Sequence, residues 1–204
     1  MAAAAERVRF YFDPACPWTW VTSRWLLEVA RQRPLHIEWR SLSLVILNEG
    51  GDIPERYQVG RLVHRVIEAL RSTGRNDDVG ELYREYGRRV HAGGRWPSAE
   101  VVHEAAMAAG LADAAGAADD PSWDDAVRRS HEEAQAIAGP DAGSPVLFRE
   151  ALGRGTFGPI LSPSPVGADA VRLWDALVAI EDLPQFYELK RPREGEPEIL
   201  PTLV

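Results

Sequence analysis

The chain has 204 residues, 45% hydrophobic and 26% charged, with 23 Lys and Arg against 31 Asp and Glu and a formal net charge of −8. That length suits one domain, or one domain with a substantial insertion. The acidic balance, with arginines scattered among carboxylates, argues against nucleic acid or an anionic membrane as partner, because a footprint on phosphates needs clustered cations.

Cys16 is the only cysteine, which excludes a disulfide within the chain and any cysteine-rich metal site. The start, MAAAAERVRFYF, has neither a positive n-region nor an apolar h-region ahead of its charges, and no stretch of 18 apolar residues follows. The expectation is a cytoplasmic protein without membrane contact, its thiol kept reduced.

RVRFYF (7–12) alternates and is aromatic-rich, the pattern of a strand. Pro17 sits at a favoured first helical position with Cys16 at the cap, and Val21, Trp25, Leu26, Val29 and Ala30 then recur at helical spacing up to Arg33-Pro34. LHIEWRSLSL (35–44) alternates again, so the opening reads as β–α–β with a parallel pair. Between 54 and 138 the periodicity turns helical: Tyr57, Leu62, Val63, Val66, Ile67 and Leu70 mark one helix. Residues 81–90, 99–109 and 123–138 give three more, the last started by Asp120-Pro121-Ser122. GRNDDVGEL (74–82) reads as a solvated loop. SPVLF (144–148) restores a strand, EALGRG turns toward a second at TFGPIL (156–161), and 167–180 is a closing helix. The predicted fold is α/β with discontinuous halves, 1–53 and 139–190, a helical insertion at 54–138, and an extended tail at 191–204.

The chemistry concentrates in FDPACPWTW (12–20). A thiolate is the nucleophilic form of cysteine, and free N–H groups at a helix N-terminus favour the anion. Cys16 between Pro14 and Pro17 is therefore predicted to be reactive, with a lowered pKa, rather than an inert buried thiol. Trp25 falls on the core-facing stripe, while Trp18 at the helix start is a candidate wall of a ligand groove. Gly143-Ser144-Pro145 before a strand suggests a cis Ser144–Pro145 bond; an edge-strand proline is the plainer reading. The histidines, His36, His64, His91, His103 and His131, show no metal-ligand spacing, so no metal is expected. No G-x-S-x-G elbow is present, and no G-x-G-x-x-G follows a strand, so neither a Ser/His/Asp hydrolase nor a Rossmann nucleotide site is supported.

FDPACPWTW before a helix, a helical insertion, and GSP before a hairpin together resemble the thioredoxin-fold group around DsbA, and more narrowly the actinobacterial mycothiol-dependent nitroreductase family. TSRWLLEVA (22–30), LSLVILNE (42–49), DAVRRSH (125–131), FGPILS (157–162), LWDAL (173–177) and FYELKR (186–191) match that family in the same order, whereas 61–102 match weakly. The resemblance implies a thioredoxin fold, βαβ…ββα, with a helical lid. It implies Cys16 as nucleophile acting with mycothiol or another low-molecular-weight thiol, a cis-proline at Pro145, and Ser144 offering its backbone to the bound thiol. Pro17, Trp18, Asn48, His91 and His131 complete the implied thiol-binding set. The family pattern ends in a resolving cysteine where this chain has Thr19, whose hydroxyl stabilises a thiolate without forming a disulfide.

Three functions fit. One is a monothiol oxidoreductase reducing disulfides or small electrophiles with external thiol. The second is a thiol-dependent transferase or isomerase, similar to the glutathione-transferase kappa and chromene-carboxylate isomerase branch. The third is a binding module that has kept only the fold. Homodimerisation is left open.

Overall fold

A computed structural model describes residues 5–200. Strand β1 (Glu6–Phe12) leads through a tight turn into helix α1 (Pro17–Gln32), which returns the chain to β2 (Leu35–Ser41). The short α2 (Leu44–Leu47) follows, then α3 (Glu55–Ser72), α4 (Asn76–Gly87), α5 (Ala99–Ala108) and α6 (Asp124–Ala138). The hairpin β3 (Val146–Arg149) and β4 (Arg154–Phe157) and helix α7 (Gly167–Glu181) close the described fold. The strand order is β2-β1-β3-β4. Only β1 and β2 are parallel, with Val8 opposite Ile37 and Phe10 opposite Trp39; β3 is antiparallel to both of its neighbours. This is the thioredoxin topology, with helices α3 to α6 between its two halves.

Strand alternation sends side chains to both faces of this sheet, and both are covered. Val8, Phe10, Phe12 and Leu147 face a core shared with Trp20, Trp25 and Leu26 of α1 and Val63, Val66 and Ile67 of α3. Tyr11 and Val146 face the other way, against Ala134 of α6 and the Cys16 turn. Trp25 is fully buried and donates its indole N–H to the Ala170 carbonyl at 2.9 Å, which locks α1 to α7. At roughly 25 cal/mol per Å² over the 150–250 Å² that an aromatic buries, each such tryptophan contributes about 4–6 kcal/mol of transfer free energy. Helix α4 closes onto α1 at Gly87, where a Cβ would lie 2.1 Å from the Trp20 ring. Only hydrogen fits there.

Several sequence expectations need correction. The second strand stops at Ser41, because the Ser43 hydroxyl accepts from the Ile46 N–H at 3.4 Å and caps α2. The segment read as a solvated loop is the first half of α4. Asn76 accepts from the Trp39 N–H at 2.9 Å and donates to the Ile37 carbonyl at 2.8 Å, so it docks on the outer edge of β2, while Val79 and Leu82 are buried. Past Gly87 the helix widens into a π-turn over Arg88–Ala92 that carries His91. The second hairpin strand ends at Phe157, and Pro145 precedes an interior strand rather than an edge one.

Candidate functional site

The turn between β1 and α1 is held by Asp13, whose side chain is buried. Its Oδ1 accepts from the Ala15 N–H at 2.8 Å, and its Oδ2 accepts from the Leu44 N–H of α2 at 2.7 Å. Cys16 donates its N–H to the Asp13 carbonyl at 3.1 Å and stands as the extended N-cap of α1 (φ −83°, ψ 115°), with Pro17 fixing the first helical position. On the opposite side of the turn, the Ser144 hydroxyl accepts from the Asp13 N–H at 2.7 Å and shares a 2.8 Å hydrogen bond with the Thr19 hydroxyl. The Ser144–Pro145 peptide bond is cis. Cys16, Pro17, Thr19, Ser144 and Pro145 thus meet at one place, with half-buried Trp18 at its rim.

The environment of the thiol differs from the sequence expectation. Cys16 is only 7% exposed, among Tyr11, Leu42, Leu44 and Val146. Burial pushes its thiol up, and this outweighs the Thr19 hydroxyl and the N–H groups of Thr19 and Trp18, which pull it down; the charge of Asp13 adds to the upward push. The expected lowering is overturned because a helix N-terminus offers N–H groups but cannot restore the water that burial removes.

Helix α3 forms the other wall. Arg56 donates to the Tyr57 hydroxyl at 3.3 Å, and Tyr57 packs in the cluster that holds Cys16. Gly60 brings α3 against the turn, where a Cβ would stand 3.1 Å from both Ala15 Cβ and Asp13 Oδ1.

The remaining predicted residues lie around this centre in different ways. His91 bonds the Pro14 carbonyl through Nε2 at 2.8 Å; a carbonyl only accepts, so that nitrogen carries the proton. The His91 ring lies 5.7 Å from that of Trp20, and burial pushes its pKa down to about 4. His131 is buried on α6, and burial, then His64 and Arg128, push its pKa down to about 4. It sits under the site rather than on its surface. Asn48 is exposed at the end of α2 and gives its amide to the Leu44 carbonyl at 2.6 Å. Sequence reasoning missed Asp13, Tyr57 and His64. His64 is fully buried, with Nε2 3.6 Å from Asp13 Oδ2 and neither ring nitrogen hydrogen-bonded among the described residues. The Asx-turn pattern of Asp13-Pro14-Ala15 signals the first. Nothing in the sequence separates His64 from the apolar stripe in which it lies. Among the described residues no three His, Cys, Asp or Glu side chains are placed to share a metal ion, and no helix is long and apolar enough to cross a membrane.

This geometry can be set beside known proteins. The sequence model of the Rv2466c-like family, described as mycothiol-dependent nitroreductase Rv2466c, matches residues 15–191. The chain belongs to that family. It is 34% identical over 195 residues to Rv2286c of Mycobacterium tuberculosis, described as an uncharacterized protein, covering 91% of this chain and 82% of that one. Its fold is similar to that of a probable DsbA oxidoreductase, SCO1869, from Streptomyces coelicolor (TM-score 0.58, 20% identity, 92% and 94% of the two chains). It is also similar to the cytosolic disulfide reductase DsbM from Pseudomonas aeruginosa (TM-score 0.55, 16% identity, 85% and 98%). Both likenesses are to a thioredoxin fold carrying a helical insertion. Family and fold together support a thiol-dependent oxidoreductase.

Proposed function

We propose that the chain is a monothiol oxidoreductase in which Cys16 exchanges with disulfides or small electrophiles and an external low-molecular-weight thiol, mycothiol or a relative of it, completes the cycle. For a disulfide R′SSR′ the steps balance. Cys16 loses its proton and attacks one sulfur, forming Cys16–S–S–R′ and releasing R′SH. A first RSH displaces the second R′SH and leaves Cys16–S–S–R. A second RSH releases RSSR and restores the thiol. The external thiol supplies both electrons.

The observation that carries this reading is the position of Thr19. It is buried and bonded to Ser144 at 2.8 Å beside the only cysteine, where the family resemblance implies a resolving cysteine. Its hydroxyl favours the thiolate, and Ser144 and Pro145 border the approach to sulfur. Trp18 and Tyr57, both half-buried, pack against the cluster that holds Cys16, each with an arginine over its ring, Arg193 and Arg56, whose guanidinium groups suit the hydroxyls of a sugar-bearing thiol. In this assignment the helices of 54–138 act as a lid on the thioredoxin-fold halves 1–53 and 139–190, with Asn48 and His91 at the lid's junctions and His131 beneath. The cycle consumes reduced thiol, which suits a cytoplasmic setting.

The upward push on the Cys16 thiol favours one other reading, a transferase or isomerase in which the site activates the thiol of the bound co-substrate. Incubation with oxidised mycothiol followed by intact-mass measurement separates the two. One mixed disulfide, mapped to Cys16, together with loss of turnover in Cys16→Ser, is the expected result. Thiol-dependent turnover that survives Cys16→Ser, with no adduct on the native chain, sinks the monothiol cycle in favour of the transferase.

A further inference from the structure

The family match ends at residue 191, yet the chain beyond it returns to the cysteine site. Leu183, Tyr187 and Leu189 are exposed, at 56%, 88% and 83%, and only Phe186 among the large apolar side chains of the segment leaving α7 is half-buried. The segment meets the cysteine site at Arg193, whose guanidinium carbon lies 5.1 Å from the centre of the Trp18 ring. Glu198 donates its N–H to the Ser162 hydroxyl at 2.8 Å. Ile199 packs against the core, and residues 198–200 close a small cavity with Trp20, Val21 and Arg24 of α1. Arg24 is buried, stacked 3.9 Å from Trp20, with its Nη2 unpartnered among the described residues, so the strap lies over a cation that has little access to water.

We infer that residues 192–200 form a strap that narrows the mouth of the Cys16 site and restricts it to small-molecule disulfides and electrophiles, turning away disulfides carried on polypeptides. The inference rests on Cys16 being an exchange nucleophile, as proposed above. A polypeptide disulfide must lay main chain beside the sulfur, across the Trp18 rim, and Arg193 already covers that ring. A small disulfide needs only a path to one sulfur atom, between Trp18 and Tyr57. The anchors among the described residues are few: one cation over a ring, one hydrogen bond, and half-buried Ile199 and Leu200. The strap is therefore removable without cutting into the core.

The test uses the full chain and two probes with the same leaving group, 5,5′-dithiobis(2-nitrobenzoate) and a 20-residue unstructured peptide carrying a cysteine–thionitrobenzoate mixed disulfide. Release of thionitrobenzoate is followed with the native chain and with R193A/I199D, thermal melting confirming that the variant is folded; R193A alone serves if it is not. The expected result is a rate with the small probe within twofold of native and a rate with the peptide at least tenfold higher. Equal acceleration of both probes, or of neither, overturns the strap while leaving Cys16 as nucleophile. Absence of reaction with either probe in either protein overturns the exchange reading itself, and the strap with it.

Discussion

Acidification should weaken this fold through two histidines, one of which holds the cysteine turn. His91 and His131 are each pushed down to about 4 from an ordinary 6.5, in both cases chiefly by burial. The unfolded chain takes up a proton at each below about pH 6.5, whereas the folded chain keeps both neutral until about pH 4. Their contribution is therefore complete above about 6.5 and is lost as pH falls toward 4. At pH 5 the linkage amounts to about 2 kcal/mol for each histidine, so about 4 kcal/mol together. That is a large share of a typical stability of about 5–15 kcal/mol. Urea unfolding followed by tryptophan fluorescence at pH 7.5 and 5.0 measures the loss directly. His91→Gln, which keeps an N–H for the Pro14 carbonyl, and His131→Gln should each remove about half of the pH dependence. A native chain equally stable at both pH values, or a double variant that loses as much as the native chain, would refute the reasoning.

Thr19→Val removes the hydroxyl that favours the thiolate and that Ser144 shares. Cys16 alkylation at pH 7 should slow by about tenfold, the worth of a hydrogen bond of about 1.4 kcal/mol, with stability falling by about 1 kcal/mol; an unchanged rate beside lost stability would make Thr19 purely structural. Gly87→Ala forces a Cβ to within 2.1 Å of the Trp20 ring and should cost about 1–3 kcal/mol by chemical denaturation as α4 and α1 separate. A neutral result would mean that the two helices slide freely.

The plan of the fold was legible because it rests on periodicity. Alternation at β1 and β2, the Pro17 start of α1 and the helical stripe containing Val63, Val66 and Ile67 each follow from which side chains must leave water. Boundaries set by a distant partner were not legible. NDDVGEL looks polar enough to stay in solvent, and it is a helix because Asn76 satisfies the main-chain N–H of Trp39 and the carbonyl of Ile37 on β2. The same division runs through the site. Local order places Cys16, Pro17, Trp18 and Thr19 on one helical turn, and the family resemblance adds Ser144 and Pro145.

By itself the sequence determined that there is a single thiol, that it caps a helix, and that Thr19 lies one helical turn from it. Those are facts of composition and spacing, carried by residues within four positions of one another. Only the tertiary structure decided the state of that thiol, because burial and field depend on groups that lie far away along the chain. Tyr11, Leu42 and Val146 exclude the water, Asp13 is fixed by Leu44 and Ser144, and α3 closes the far wall at Gly60. A helix N-terminus is written locally, but the dielectric around it is not.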